Sequence, residues 1–146
     1  LNVEPSSTNV VPGRVIYSLD LRSGDMALRD AAADQIIASL KAIAAKRDLS
    51  IHITKLQDLP SSPCDLNMTN YLMTAMTETG HPDRALVSGA GHDAMVMSAL
   101  CPTVMLFVRC EGGISHNPAE RVSIADTDAA LQVMLKFLDV LEREQK

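Results

Sequence analysis

The chain has 146 residues, 47% of them hydrophobic and only 3% aromatic, and a formal net charge of -5. This length suits one ordinary domain or two half-domains of a larger protein, and an acidic, aromatic-poor chain without basic runs offers nothing to neutralise phosphates or stack bases, which excludes nucleic acid as an expected partner. The longest apolar run, 104–108, has strand length and falls far short of the roughly 20 residues that span a bilayer, which excludes a membrane role.

The first residue is Leu1, and residues 1–3 resemble the middle of a strand, so the chain reads as a fragment. Residues 14–22 set Val15, Tyr17, Leu19 and Leu21 against Arg14, Ile16, Ser18, Asp20 and Arg22, the period-2 pattern of a strand with one buried face; Pro12 and Gly13 mark the turn before it. Over 25–47, Ala33, Ile36, Ile37, Leu40, Ile43 and Ala44 recur at helical spacing, with Asp25 at the start and Lys46 and Arg47 at the end, where the helix dipole favours them. Residues 50–56 (SIHITKL) alternate again and predict a strand. The stretch 60–63 (PSSP) suits neither element and is expected to separate two domains, 1–60 and 61–146.

Beyond it, 65–79 predicts a helix with Asp65 as N-cap and Leu66, Tyr71, Leu72, Ala75 and Met76 facing inward; Gly80 ends it. A short strand at 85–88, a glycine-rich turn at 89–91, a helix beginning near His92 and a buried strand at 104–108 suggest a βαβ unit. The last helix begins at Ser123 to Asp126, a capping-box pattern, with Ala130, Leu131, Met134, Phe137, Leu138 and Leu141 on its expected inner face. The fold class is therefore α/β. Cys64, Cys101 and Cys110 form no CxxC pair and leave an odd one over, so they are expected as buried free thiols in a reducing, cytoplasmic setting.

Chemically useful residues gather in three loops at the ends of predicted strands, where α/β proteins place their sites. Asn9 precedes the Pro–Gly turn, and Arg22 ends the strand that follows. A carboxamide both donates and accepts, and a guanidinium fork matches a carboxylate, although a turn asparagine and a surface cation explain the same residues. In 88–94 (SGAGHDA), closely spaced glycines let backbone approach a ligand beside His92 and Asp93; a capped turn is the plain alternative. In 112–120 (GGISHNPAE), His116 sits on a glycine-flanked loop suited to metal ligation or proton transfer, though a histidine without a nearby HxxxH or HxD partner is more often structural.

Taken together and in order, NVVPG at 9–13, LDLR at 19–22, SGAGHDA at 88–94 and GISHNPAE at 113–120 resemble the family of allantoate amidohydrolases, N-carbamoyl-L-amino-acid hydrolases and β-ureidopropionases. The resemblance spans nearly the whole chain, and MLFVRC at 105–110 is most similar to the allantoate enzymes of purine catabolism, plant ones included.

The resemblance implies an α/β metallohydrolase catalytic domain with a pair of manganese or zinc ions, interrupted by an inserted α+β lid domain through which two subunits form a homodimer. Residues 1–60 would belong to the lid and 61–146 to the C-terminal part of the catalytic domain. His116 matches a metal ligand; Asn9, Arg22 and His92 match substrate-binding positions, the first two in some members reaching across the dimer. The implied reaction is metal-assisted hydrolysis of a ureido or carbamoyl C–N bond in a carboxylate substrate, with Arg22 on the carboxylate and Asn9 on neighbouring polar groups. The remaining metal ligands and the carboxylate base lie upstream in the family, and nothing in this chain matches them. No catalytic residue is therefore assigned, and the chain alone is expected to be inactive. The alternatives are a ureidoglycolate or β-ureidopropionate hydrolase, and a non-catalytic dimerising or binding module.

Overall fold

A computed structural model describes residues 1–144 and divides the chain at 60/61 into two compact units, Leu1–Pro60 and the part from Ser61 onward. In the first unit, β1 (Asn2–Glu4) and β2 (Arg14–Ile16) form an antiparallel pair with Val3 opposite Val15. The Gly13 amide extends the ladder to the Glu4 carbonyl at 2.9 Å. The predicted strand at 14–22 is thus confined to its first three residues. Beyond Ile16 no ladder forms among the described residues, and Val15, Tyr17 and Leu19 are exposed rather than buried.

The first long helix, α1 (Met26–Lys46), is closed at both ends by side-chain and backbone chemistry. Asp25 caps it by accepting the Leu28 amide at 3.0 Å. At the other end Leu49 N–H reaches the Ala44 carbonyl at 2.9 Å and Asp48 N–H the Ala45 carbonyl at 3.3 Å, a Schellman arrangement in which Asp48, at φ 53°, takes the left-handed position usually given to glycine. Ile36, Ile37 and Leu40 are half-buried and Ala44 is buried, as the spacing predicts, whereas Ile43 is exposed. The predicted strand at 50–56 is absent. That stretch is followed by a tether instead: Arg29 of α1 donates to the Leu59 carbonyl at 2.7 Å and to Asp58 at 2.8 Å, and Lys55 also pairs with Asp58.

In the second unit α2 (Leu66–Glu78) packs on α4 (Ile124–Glu144). Their shared core is Leu72, Ala75, Val133 and Val140, flanked by half-buried Tyr71, Met76, Val104, Leu106 and Phe137. Full burial of a leucine or valine side chain contributes about 1.5–3 kcal/mol, so these few contacts carry most of what joins the helices. Ion pairs from Glu78 to Arg143 (3.1 Å) and Lys136 (3.9 Å) line the edge. Both predicted caps form: Asp65 accepts the Met68 amide at 2.9 Å, and Ser123 Oγ accepts the Asp126 amide at 3.0 Å while donating to its carboxylate at 2.6 Å.

The inner face of α4 differs from the expected one. Val133, Phe137 and Val140 meet α2, and Leu131, Met134 and Leu138 stay exposed, because the helix carries two apolar stripes and only one of them faces α2. Leu66, expected to face inward, is likewise exposed. Between α2 and α4 lies α3 (Ala94–Met97), a single turn. Neither 85–88 nor 104–108 is a strand among the described residues, so the predicted βαβ unit does not form; the second segment packs Val104 and Leu106 on the core and ties to α2 through Asp65 N–H and the Thr103 carbonyl at 2.9 Å. The described structure is mostly helical with one small sheet. The cysteines are free thiols, but Cys101 is exposed and Cys64 and Cys110 are half-buried, so none is sealed in the core as expected. No described helix is long and apolar enough to cross a membrane.

Candidate functional site

Asn9 and Arg22 belong to the first unit, His92 and His116 to the second, and each is held by a neighbour within four positions. The Asn9 carboxamide oxygen accepts the Ser7 hydroxyl at 2.7 Å. Arg22 lies beyond β2 and grips Asp20, with Nε 2.9 and 3.1 Å from its two oxygens and Nη2 2.6 Å from one of them. The hydrogen bond from Arg22 holds the Asp20 carboxyl below its ordinary range, against a smaller opposing effect of desolvation, and the same bond raises the guanidinium. Both side chains are more than half exposed, so the pair arranges a donor fork and adds little stability.

His92 follows the glycine-rich turn and is half-buried. Its Nε2 lies 2.7 Å from Ser88 Oγ, which also accepts the Ala90 amide at 3.2 Å. Phe107 meets the ring edge-on, with centroids 5.7 Å apart and planes at 74°. Asp93 makes no side-chain cap on α3, so the helix start does not explain its presence.

His116 is presented differently. Glu111 and Arg121 clasp the base of its loop twice: the Glu111 amide donates to the Arg121 carbonyl at 2.9 Å, and the Arg121 guanidinium donates to the Glu111 carboxylate at 2.5 and 2.7 Å. Gly112 and Gly113 take positive φ (64° and 66°), a conformation that costs glycine nothing, and turn the chain within the clasp. His116 itself has φ 55°, unusual for a residue with a Cβ, and its amide donates to Glu120 at 2.7 Å. Outside the clasp Arg109 donates to Asp126 at 2.5 and 3.1 Å; the Ser123 hydroxyl first and Arg109 second hold that carboxyl below its ordinary range. An open groove of about 400 Å³ is lined by Glu111, Gly112, Ile114, Glu120 and Arg121 among others. A larger one, about 540 Å³ along α2, involves none of the candidate residues.

A metal ion of the expected kind needs about three protein ligands. Among the described residues no three His, Cys, Asp or Glu side chains converge, so these residues alone do not complete a metal centre, and His116 is at most one donor of a set. Ser88, Phe107 and Glu120 fall within the quoted motifs but were given no role, and the Glu111–Arg121 clasp was not anticipated. The spacing of four between Ser88 and His92 across a turn, and between His116 and Glu120, was a usable signal; the clasp, ten residues apart, had none.

The sequence matches the profile of peptidase family M20/M25/M40 over residues 2–140. It is 40% identical over 143 residues to the allantoate deiminase of Arabidopsis thaliana, covering 92% of this chain and 27% of that protein. It is 33% identical over 134 residues to the N-carbamoyl-L-amino acid amidohydrolase of Geobacillus stearothermophilus, covering 92% of this chain and 33% of that protein. Among solved structures, a hydantoinase/carbamoylase-family amidase from Burkholderia multivorans superposes with a TM-score of 0.89 at 33% identity, over 95% of this chain and 34% of that one. The chain thus spans about a third of the length of such relatives.

Proposed function

The chain belongs to peptidase family M20/M25/M40, and from that premise we propose that it forms part of a hydrolase cleaving a ureido or carbamoyl C–N bond in a carboxylate substrate such as allantoate or an N-carbamoyl amino acid. The observation that carries this reading is the Arg22 fork, which already holds a carboxylate with two nitrogens within 3.1 Å. A substrate carboxylate would meet the same chemistry. Asn9, with a donor and an acceptor in one amide, suits the polar groups beside it, and His92 suits the ureido end. In this reading 1–60 is part of a dimerising lid and 61–146 the C-terminal part of an α/β catalytic domain.

His116 would contribute one imidazole to a divalent ion, manganese or zinc, whose role when bound is to activate the attacking water. The described residues do not complete that centre, so the chain by itself is expected to be inactive. The free thiols support a reducing, cytoplasmic setting. Ureidoglycolate and β-ureidopropionate share the carboxylate and the ureido group, which makes them the competing substrates.

The test is ammonia release from allantoate, N-carbamoyl-L-amino acids and β-ureidopropionate by two proteins. One is this chain alone, and the other is a chimera in which a relative supplies the part of the fold that the chain does not span. Activity only in the chimera supports the reading. Metal-dependent turnover by the chain alone would overturn its assigned inactivity, and a folded, metal-loaded chimera inactive on every ureido carboxylate would leave a non-catalytic dimerising module.

A further inference from the structure

We propose that Ser88 is a positioning residue that sets the tautomer of His92, donating its hydroxyl proton to Nε2 so that the ring carries its own proton on Nδ1. The functional part of this inference rests on the reading above, in which His92 meets the ureido end of a substrate.

A neutral imidazole has one donor nitrogen and one acceptor nitrogen, and a serine hydroxyl has one proton and two lone pairs. Ser88 Oγ already accepts the Ala90 amide at 3.2 Å and lies 2.7 Å from Nε2. If it also accepted from Nε2–H, both lone pairs would be taken and its proton would need another acceptor. Donation to Nε2 uses the proton and keeps the Ala90 contact. Phe107, edge-on at 5.7 Å, restrains the ring plane, so the two contacts together fix both the orientation of the ring and the identity of its donor.

The consequence is chemical. A ring with its proton on Nδ1 offers a hydrogen-bond donor there, which suits an acceptor such as a ureido carbonyl oxygen. The other tautomer would present a lone pair to the same oxygen and repel it. Ser88 would act on substrate choice through His92 without touching the substrate.

Long-range ¹H–¹⁵N correlation spectra of the ring nitrogens, recorded on the chain with His92 neutral, read the tautomer directly. Wild type and Ser88→Thr should show a protonated Nδ1; Ser88→Ala should revert to the Nε2–H form that free imidazole prefers. The isosteric pair Ser88→Thr and Ser88→Val repeats the comparison at constant volume, so lost packing cannot imitate the effect. An Nε2–H signature in wild type, or an unchanged Nδ1–H signature in both Ser88→Ala and Ser88→Val, overturns the proposal. In the chimera, Ser88→Ala should lower kcat/KM on a ureido carboxylate about five- to tenfold, the usual worth of one net hydrogen bond, and Ser88→Thr should restore it. A tautomer that switches while kcat/KM stays at the wild-type value would leave the role of Ser88 standing and refute the substrate-side reading of His92.

Discussion

His92 and His116 are fixed by opposite ends of the residue. The ring of His92 is held by Ser88 and Phe107, whereas in His116 the backbone is held, at φ 55° and through Glu120, inside a loop clasped by Glu111 and Arg121. A held ring suits a group that must present a particular donor to a small molecule. A held backbone delivers an imidazole to a place and leaves its final orientation to what it binds. A metal-ligating imidazole is normally oriented as well by a hydrogen bond from its other ring nitrogen, so the held backbone of His116 supplies the place and such a partner would supply the orientation.

The sharpest way to break this comparison is to remove each ring in the chimera. His116→Ala should lower metal content and reduce kcat/KM by at least about a hundredfold, because an open catalytic site has few ligands to lose. His92→Ala should cost activity with metal content unchanged. Elemental analysis beside kinetics decides; equal metal loss in both variants would erase the distinction.

Arg22 adds a held side chain of a third kind, one whose partner is itself a carboxylate. Lysine cannot reproduce the fork, so Arg22→Lys in the chimera should lower kcat/KM by about 1.5–3 kcal/mol on a carboxylate substrate, with normal metal content. An equal loss on a substrate analogue without the carboxylate would show that Arg22 does not bind that group.

What could be read in advance follows the same physics. Helices satisfy their backbone within one segment, so Asp25, Asp65 and Ser123 marked their starts, and each makes the capping contact that its position implies. A strand needs a partner from elsewhere in the chain. The alternation at 50–56 and the apolar runs at 85–88 and 104–108 record side-chain polarity, and among the described residues only Asn2–Glu4 and Arg14–Ile16 find each other. The two apolar stripes of α4 were equally visible, but which one meets α2 depends on the position of α2. Glycine beside His116 advertised the loop, yet the Glu111–Arg121 clasp that shapes it left no local pattern.

A smaller effect tests the backbone side of the comparison. If the loop forces His116 into a left-handed conformation, His116→Gly should stabilise the chain by about 0.5–1 kcal/mol, because glycine adopts that conformation without a Cβ clash. His116→Ala, which keeps the Cβ, should be close to neutral in the same denaturant titration. Equal midpoints for the Gly and Ala variants would mean that the loop stores no strain at His116.

The smallest expected effect concerns acid and the outer stem of that loop. Asp126 accepts from Ser123 and from Arg109, and these bonds lower its carboxyl below the ordinary range in the folded chain. A carboxyl lowered on folding stabilises the fold above its unfolded value, near pH 4, and that contribution disappears as pH falls through the lower folded value. Wild type should therefore lose slightly more stability than Asp126→Asn between about pH 5 and pH 2, and the two curves should run parallel at neutral pH. The difference should be small and shrink further in salt, because Arg109 stands largely in solvent. His92 lies on another segment, so the substitution should leave its ring signals at neutral pH unmoved. If those signals shift in Asp126→Asn, the stem of the His116 loop is coupled to the His92 ring and the contrast between the two histidines is not local.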